Sequence, residues 1–126
     1  MSYNVKDVKK INLDLLLNLS NTFHFNKIDI EYFEHILEIY DDNKLIGMIN
    51  YCFIPSMKGR MRLFIRNLYF LNKDNLDNII KSLCNYCKKN NLSIKTTLYN
   101  DKFDEDCKKA LYNNDFKGDE VLYYIY

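Results

Sequence analysis

The chain has 126 residues, of which 48% are hydrophobic and 28% charged, and its formal net charge at pH 7 is +1. This length and balance predict one domain over residues 1–126, and the near-neutral charge excludes attraction to nucleic acid or an acidic membrane by the overall field of the protein. The longest apolar run near the start, Leu15 to Leu17, is too short for a signal peptide or a membrane span, so we expect a cytoplasmic protein without a membrane partner.

The first third of the chain predicts a strand and two helices. Apolar residues recur there at spacings of three and four: Val8, Ile11, Leu15 and Leu19. This period predicts an amphipathic helix over residues 7–20, preceded by a short strand at Tyr3 to Val5. A second, shorter helix is predicted near Ile30 to Phe33.

The middle of the chain predicts an antiparallel meander. The runs HILEIY and LIGMINYCFI flank the polar turn DDNK and predict a hairpin. After the turn PSMKGR, the alternating run MRLFIRNLYF predicts a third strand.

The stretch FLNKDNLDNIIKSL, residues 70–83, marks the passage from a strand to a helix. Asp74 or Asn75 is the predicted N-cap. The apolar stripe of the helix consists of Leu76, Ile79, Ile80, Leu83 and Cys87. The helix is predicted to end near KKNN, because lysine suits the negative pole of a helix and asparagine tolerates the left-handed cap.

The last third of the chain predicts a strand, a helix and a strand. LSIKTTLY alternates as a strand, Phe103, Cys107, Ala110 and Leu111 mark a helix, and VLYYIY closes the chain. The whole order predicts an α+β fold with a mixed, mostly antiparallel twisted sheet of six or seven strands and helices on both faces. IRNLYF and LSIKTTLY should be parallel and joined by a right-handed crossover.

This order resembles that of the GNAT superfamily of acetyl-CoA-dependent N-acetyltransferases. Three features carry the resemblance: the hairpin EIYDDNKLIGMINY around an acidic turn, the strand IRNLYF entering a helix, and ALYNNDF before the last strand. The resemblance implies transfer of an acetyl group from acetyl-CoA to an amine of a small molecule or a protein.

The resemblance also implies where acetyl-CoA would bind, with the backbone from Asn67 to Leu71 positioning the thioester and the next helix holding the pyrophosphate. The implied residues are Asn67, Leu68, Tyr69, Phe70, Leu71, Lys73 and Asn75. In the family, loop glycines expose N–H groups to the pyrophosphate. FLNKDNLDNIIKSL has no glycine, and Asp74 and Asp77 would repel phosphate. Two functions therefore stay open: an N-acetyltransferase, or a binding or inhibitory module that kept the fold and lost the cofactor. Such a module would bind its partner through its arginine-containing strand or through the aromatic residues near its C-terminus, Tyr123, Tyr124 and Tyr126.

The last helix differs from the family's pattern too. With Phe116 matched to the family's Phe, Asp115 takes the place of its Gly and Leu111 that of its catalytic Tyr. Tyr112 lies one residue, about 100°, further around the helix. The resemblance implies Tyr112 as the acid that protonates the thiolate leaving group only if the helix is rotated or one residue shorter, and the alternative is a surface or core tyrosine without a catalytic role.

All three arginines fall within seven residues of one predicted strand: Arg60, Arg62 and Arg66. With period two they lie on one face, and Lys58 is close in sequence. Arginine suits bidentate contact with carboxylate or phosphate, so these four residues are predicted to bind an anionic macromolecular partner if the cofactor has been lost. The alternatives are a solvated strand face and internal pairing with Glu34 or Glu38.

Two smaller motifs have a chemical and a structural interpretation. Cys84 and Cys87 form a CxxC without a second ligand pair, which favours reduced, semi-buried helix cysteines over a metal or redox site. His35 and Glu34 are a candidate base for an acceptor amine, and the alternative is polar surface.

Overall fold

The structure, a computed structural model, describes residues 3–10, 12, 14–15, 19, 21–24, 35–55, 61–97, 105–118 and 122–125, and of residues 21–24, 55, 95–97, 117–118 and 122–125 the backbone only. The strands are β1 Asn4–Val8, β2 Asn21–His24, β3 His35–Asp41, β4 Lys44–Pro55, β5 Met61–Phe70, β6 Ser93–Thr97, β7 Lys117–Gly118 and β8 Leu122–Ile125. The helices are α1 Leu76–Lys89, which follows a 3-10 turn at Lys73–Asn75, and α2 Glu105–Asn113.

The described strands form one mixed sheet in the order β1-β3-β4-β5-β6-β8-β7, with β2 also paired to β5. Only β5 and β6 are parallel, and the other neighbours are antiparallel. The α+β class and the parallel pairing across α1 are confirmed. The predicted strand number was wrong, because β2 and the two-residue β7 bring the sheet to eight strands.

Both described helices pack on one face of the sheet. The predicted stripe of α1 is buried throughout, and α2 adds three residues to the same core: Cys107, Ala110 and Leu111. The sheet contributes inward residues such as Ile39, Ile49 and Leu63. Burial of each such side chain stabilises the fold by about 1.5–3 kcal/mol. No helix in this described part of the chain is long and apolar enough to cross a membrane.

The opposite side of the sheet, which we call the far face, carries a second apolar cluster of Leu19, Ile36 and Met48. Of the predicted helix over residues 7–20, the structure describes only Asp14 and Leu15 as helical. The helix cannot begin at residue 7, since β1 continues through Val8 by pairing with β3. The helix predicted near residues 30–33 and the turn at 56–60 lie outside the described residues.

The two ends of α1 are set by asparagines. Asn75 is the N-cap, as predicted, but its side chain makes no capping hydrogen bond, and the Asp74 N–H instead donates to Oδ1 of Asn72 at 2.9 Å. The reason is the 3-10 turn, which moves the first exposed N–H groups one turn earlier. The predicted end is confirmed, with Asn91 in the left-handed region at φ 55°.

Candidate functional site at a strand divergence

One edge of β5 changes partner along its length. On one side, β4 pairs with β5 from Met61 to Phe70, with one irregularity. On the other side, β6 pairs in parallel as far as Ile65, opposite Thr96, and β2 pairs antiparallel from Asn67, opposite His24. The carboxyl ends of β6 and β2 therefore meet at Arg66, which is paired with neither strand.

A bulge in β5 coincides with this divergence. On the β4 side, Asn50 pairs with Asn67 while Tyr51 pairs with Ile65, so Arg66 is the extra residue. Ile65 and Leu68 both belong to the helix-side core. Arg66 and Asn67 therefore lie side by side on the far face, a placement that strict alternation does not allow.

Buried polar side chains surround the bulge on the far face. Asn50 is 2% and Asn67 0% exposed, and Nδ2 of Asn50 donates to Oδ1 of Asn67 at 3.1 Å. Glu38 is 6% exposed and accepts from the Tyr40 hydroxyl at 3.0 Å. Burial and this carboxylate raise the pKa of Tyr40, so the phenol stays protonated and keeps donating.

Two of the three arginines share the far face. Arg62 alternates with the core residue Leu63, and Arg66 follows at the bulge. The Nε atom of each is buried, and for Nε of Arg66 there is no hydrogen-bond partner within the described residues. Arg60 and Lys58 lie outside the described residues. So does Glu34, one of the two carboxylates considered for internal pairing.

The residues implied for the thioester are divided between the two faces of β5. Leu68 and Phe70 are in the helix-side core, whereas Asn67 and Tyr69 are on the far face. Their backbones are paired on both edges, with β4 and with β2. The Leu71 N–H donates to a carbonyl of β4 at 3.0 Å. The main-chain groups implied for the cofactor therefore already take part in the sheet.

The N-terminus of α1, implied for the pyrophosphate, is surrounded by acidic side chains. Asp74 and Asp77 stand in the first turns of the 3-10 and α-helical segments. The Lys73 ammonium lies 3.1 Å from the carboxylate of Asp106 on α2. Asn75 accepts from the Tyr3 hydroxyl at 3.5 Å, a weak contact. Part of the positive charge that Lys73 would offer to a phosphate is thus directed to α2.

The backbone at the end of α2 has one feature that the GNAT resemblance implies. Asp115, which stands where the family has glycine, adopts φ 67°, a conformation that favours glycine. The Phe116 N–H reaches the Leu111 carbonyl at 3.1 Å, and both side chains are buried. Tyr112 is 45% exposed, with the Lys108 ammonium 5.9 Å from its ring centroid. A catalytic role for Tyr112 stays a prediction.

The CxxC cysteines are held as protonated thiols. Cys87 is in the core, and burial raises its pKa to about 12. Burial also raises the pKa of Cys84 to about 11, and the Asp115 carboxylate adds to this effect while Lys88 opposes it. Thiols with such a pKa are poor nucleophiles and poor metal ligands at neutral pH. Within the described residues there is no group of three or more metal-ligating side chains.

A groove of about 600 Å³ lies between α1, the end of α2 and the start of β6. Cys84 lines it together with Lys81, Lys88, Asp77 and Asp115. Its two cations and two carboxylates balance, so the groove has no preference for a ligand of one sign.

His35 packs against aromatic rings at the start of β3. Its ring centroid lies 5.3 Å from that of Tyr51 and 5.5 Å from that of Phe53. The Tyr51 hydroxyl donates to Asp7 at 3.2 Å. Glu34, the partner considered for a catalytic base, lies outside the described residues.

The sequence reasoning missed the buried amides at the bulge, although a signal for them exists. Asn50 interrupts the apolar run LIGMINYCFI, and Arg66 and Asn67 together break the alternation of LFIRNLYF. Two consecutive polar residues between apolar pairs are typical of a bulge. No comparable signal points to β2, whose sequence is NTFH.

No protein-family model, no curated protein and no solved structure matches the chain.

Proposed function

We propose that this protein is a binding module with a GNAT-like fold that does not use acetyl-CoA and that recognises an anionic macromolecular partner through the arginines of β5. The observation that carries the proposal is the pairing of β2 with residues 67–70. The backbone that the resemblance assigns to the thioester is engaged by the chain itself. A cofactor would have to displace β2 to reach it.

The N-terminus of α1 supports the same proposal. A helix N-terminus attracts phosphate through its exposed N–H groups and positive dipole end. Here Asn72 accepts from the Asp74 N–H, and the carboxylates of Asp74 and Asp77 oppose a phosphate. The attraction for a pyrophosphate is therefore reduced twice, once by capping and once by charge.

The arginines supply the recognition chemistry. Arg62 and Arg66 lie on the same face, with part of each guanidinium buried. The carboxylate of Glu38 on this face is engaged by Tyr40. Guanidinium groups bind carboxylate and phosphate with two parallel hydrogen bonds, a geometry that lysine cannot reproduce.

Calorimetric titration with acetyl-CoA tests the absence of the cofactor. We expect no heat of binding at millimolar acetyl-CoA. Binding with a micromolar dissociation constant would contradict the proposal.

Recovery of partners from the native host tests the arginine surface. The three arginines are replaced by lysine, which keeps the charge and removes the planar fork, and separately by alanine. We expect both variants to lose the partner while their circular dichroism matches that of the parent. A partner retained by both folded variants would show that recognition occurs elsewhere.

The second candidate function is the N-acetyltransferase, with Tyr112 as the acid. It is favoured by the parallel pairing of β5 and β6 and by the glycine-like backbone of Asp115. Turnover of acetyl-CoA with an amine, reduced about 100-fold or more by Tyr112→Phe, would support it. Lys109→Gln, at an exposed position of the same helix, is the matched control and should leave turnover unchanged.

A further inference from the structure

We propose that Arg66 is the anchor of the binding site and holds a single carboxylate or phosphate group at the bulge. This inference rests on the proposed function and names the chemistry of its ligand. The bulge places Arg66 beside Asn67 on the far face, between the last residue of β5 that pairs with β6 and the first that pairs with β2.

The buried Nε atom of Arg66 favours an acceptor at this position. Its Nε atom is removed from solvent and has no hydrogen-bond partner among the described residues. A buried donor without a partner costs about 1–3 kcal/mol, and more when the group is charged. An anionic ligand that accepts from Nε and a terminal nitrogen removes this cost with two charge-assisted bonds.

Among the described residues, no carboxylate lies beside Arg66 in the sheet register. The nearest polar side chains in the sheet register are the amides of Asn50 and Asn67, which bond each other and carry no charge. Glu38 stands opposite Met48, in a different row of the sheet, and is engaged by Tyr40. The amides offer neutral hydrogen bonding beside a cation, which suits a small anion.

The spacing of the two arginines favours one anchor. Arg66 lies four residue steps beyond Arg62, or about 13 Å along the strand. A single carboxylate or phosphate is too small to span that distance between main-chain positions. Arg66 therefore holds the group itself, and Arg62 is placed for a second part of a larger partner.

The test uses the small number of arginines. Because the chain contains three, its ¹⁵N spectrum has three arginine Nε–H signals, which single lysine substitutions assign. The intact protein is titrated in separate arms with inorganic phosphate and with acetate, up to tens of millimolar. We expect the Arg66 signal to shift most, and the arm with the lower dissociation constant identifies the group.

Variants give the second readout. Arg66→Gln should weaken binding of the better anion about tenfold or more, because it removes two charge-assisted bonds. Lys88→Gln removes one positive charge from the exposed surface of α1 and should change the affinity less than about twofold. An Arg66 signal that stays fixed, absence of binding by both anions, or equal affinity of Arg66→Gln and the parent would overturn the inference.

Failure of the inference about Arg66 can be distinguished from failure of the proposed function. If Arg62→Lys abolishes partner recovery and Arg66→Lys does not, the arginine surface stands and Arg66 is not its anchor. If acetyl-CoA binds with micromolar affinity, the proposed function fails whatever the anion titrations give.

Discussion

Replacing Asp115 by glycine should raise the free energy of unfolding. Asp115 follows α2 with φ 67°, and its N–H donates to the Tyr112 carbonyl at 3.1 Å. A left-handed backbone costs an L-residue about 1–2 kcal/mol, partly offset in aspartate by local hydrogen bonding. Glycine removes this cost and loses about 0.5–1 kcal/mol through its greater freedom in the unfolded chain. The expected gain is therefore about 0.5 kcal/mol.

Urea unfolding at 25 °C measures the difference, and two control variants fix its sign. Asn113→Gly introduces the same residue two positions earlier, inside α2, and should lose about 0.5 kcal/mol. Asp115→Ala keeps the left-handed strain without the aspartate hydrogen bonding and should lose about 1 kcal/mol. The reasoning is refuted if Asp115→Gly is less stable than the parent, or if both glycine variants change stability in the same direction.

Two further predictions concern buried groups. The raised pKa values of Cys84 and Cys87, about 11 and about 12 against an ordinary 9.0, mean that the folded protein holds these protons more tightly than the unfolded chain. The stability that the two thiols contribute is fully present below pH 9 and is lost as the pH rises through about 11 and 12. The urea concentration at the unfolding midpoint should therefore fall across this pH range, and it should fall less steeply in Cys84→Ala. Asn67→Leu should lose about 1–3 kcal/mol because it leaves the Asn50 amide buried without this acceptor, and the double variant with Asn50→Leu should recover much of it. Additive losses in this double-mutant cycle would contradict a coupled pair.

Local periodicity was sufficient to predict α1 and the long strands. The apolar residues of α1 recur every three to four positions, and all are buried against the sheet. Asn91 lies after the last lysines of the helix, where a left-handed residue ends it. These features depend on neighbours within a few residues, which is the range over which a sequence pattern acts.

Features that depend on distant parts of the chain were not predicted. β2 has four residues, too few for an alternating pattern, and it exists as a strand because residues 67–70 present an edge that β6 has left. The bulge allows Leu63 and Ile65, before Arg66, to face the same core as Leu68 and Phe70, after it. Each is decided by packing between elements, so propensity at β2 or at Arg66 is a poor guide.

The pairing of β2 with β5 would weaken the binding of acetyl-CoA but not that of an anion at Arg66, because the GNAT resemblance implies that only the cofactor binds at the edge of β5. Each backbone hydrogen bond contributes about 0.5–1.5 kcal/mol net, so the pairing of the four-residue β2 with β5 is favoured by about 3 kcal/mol in total. At that free energy the edge of β5 is open in roughly 1 molecule in 150. A ligand that requires this edge then binds about 150-fold more weakly than to an open site. Arg66 projects from the far face and is paired with neither β2 nor β6. An anion held there would not compete with β2, so the proposed site at the bulge does not depend on whether acetyl-CoA binds.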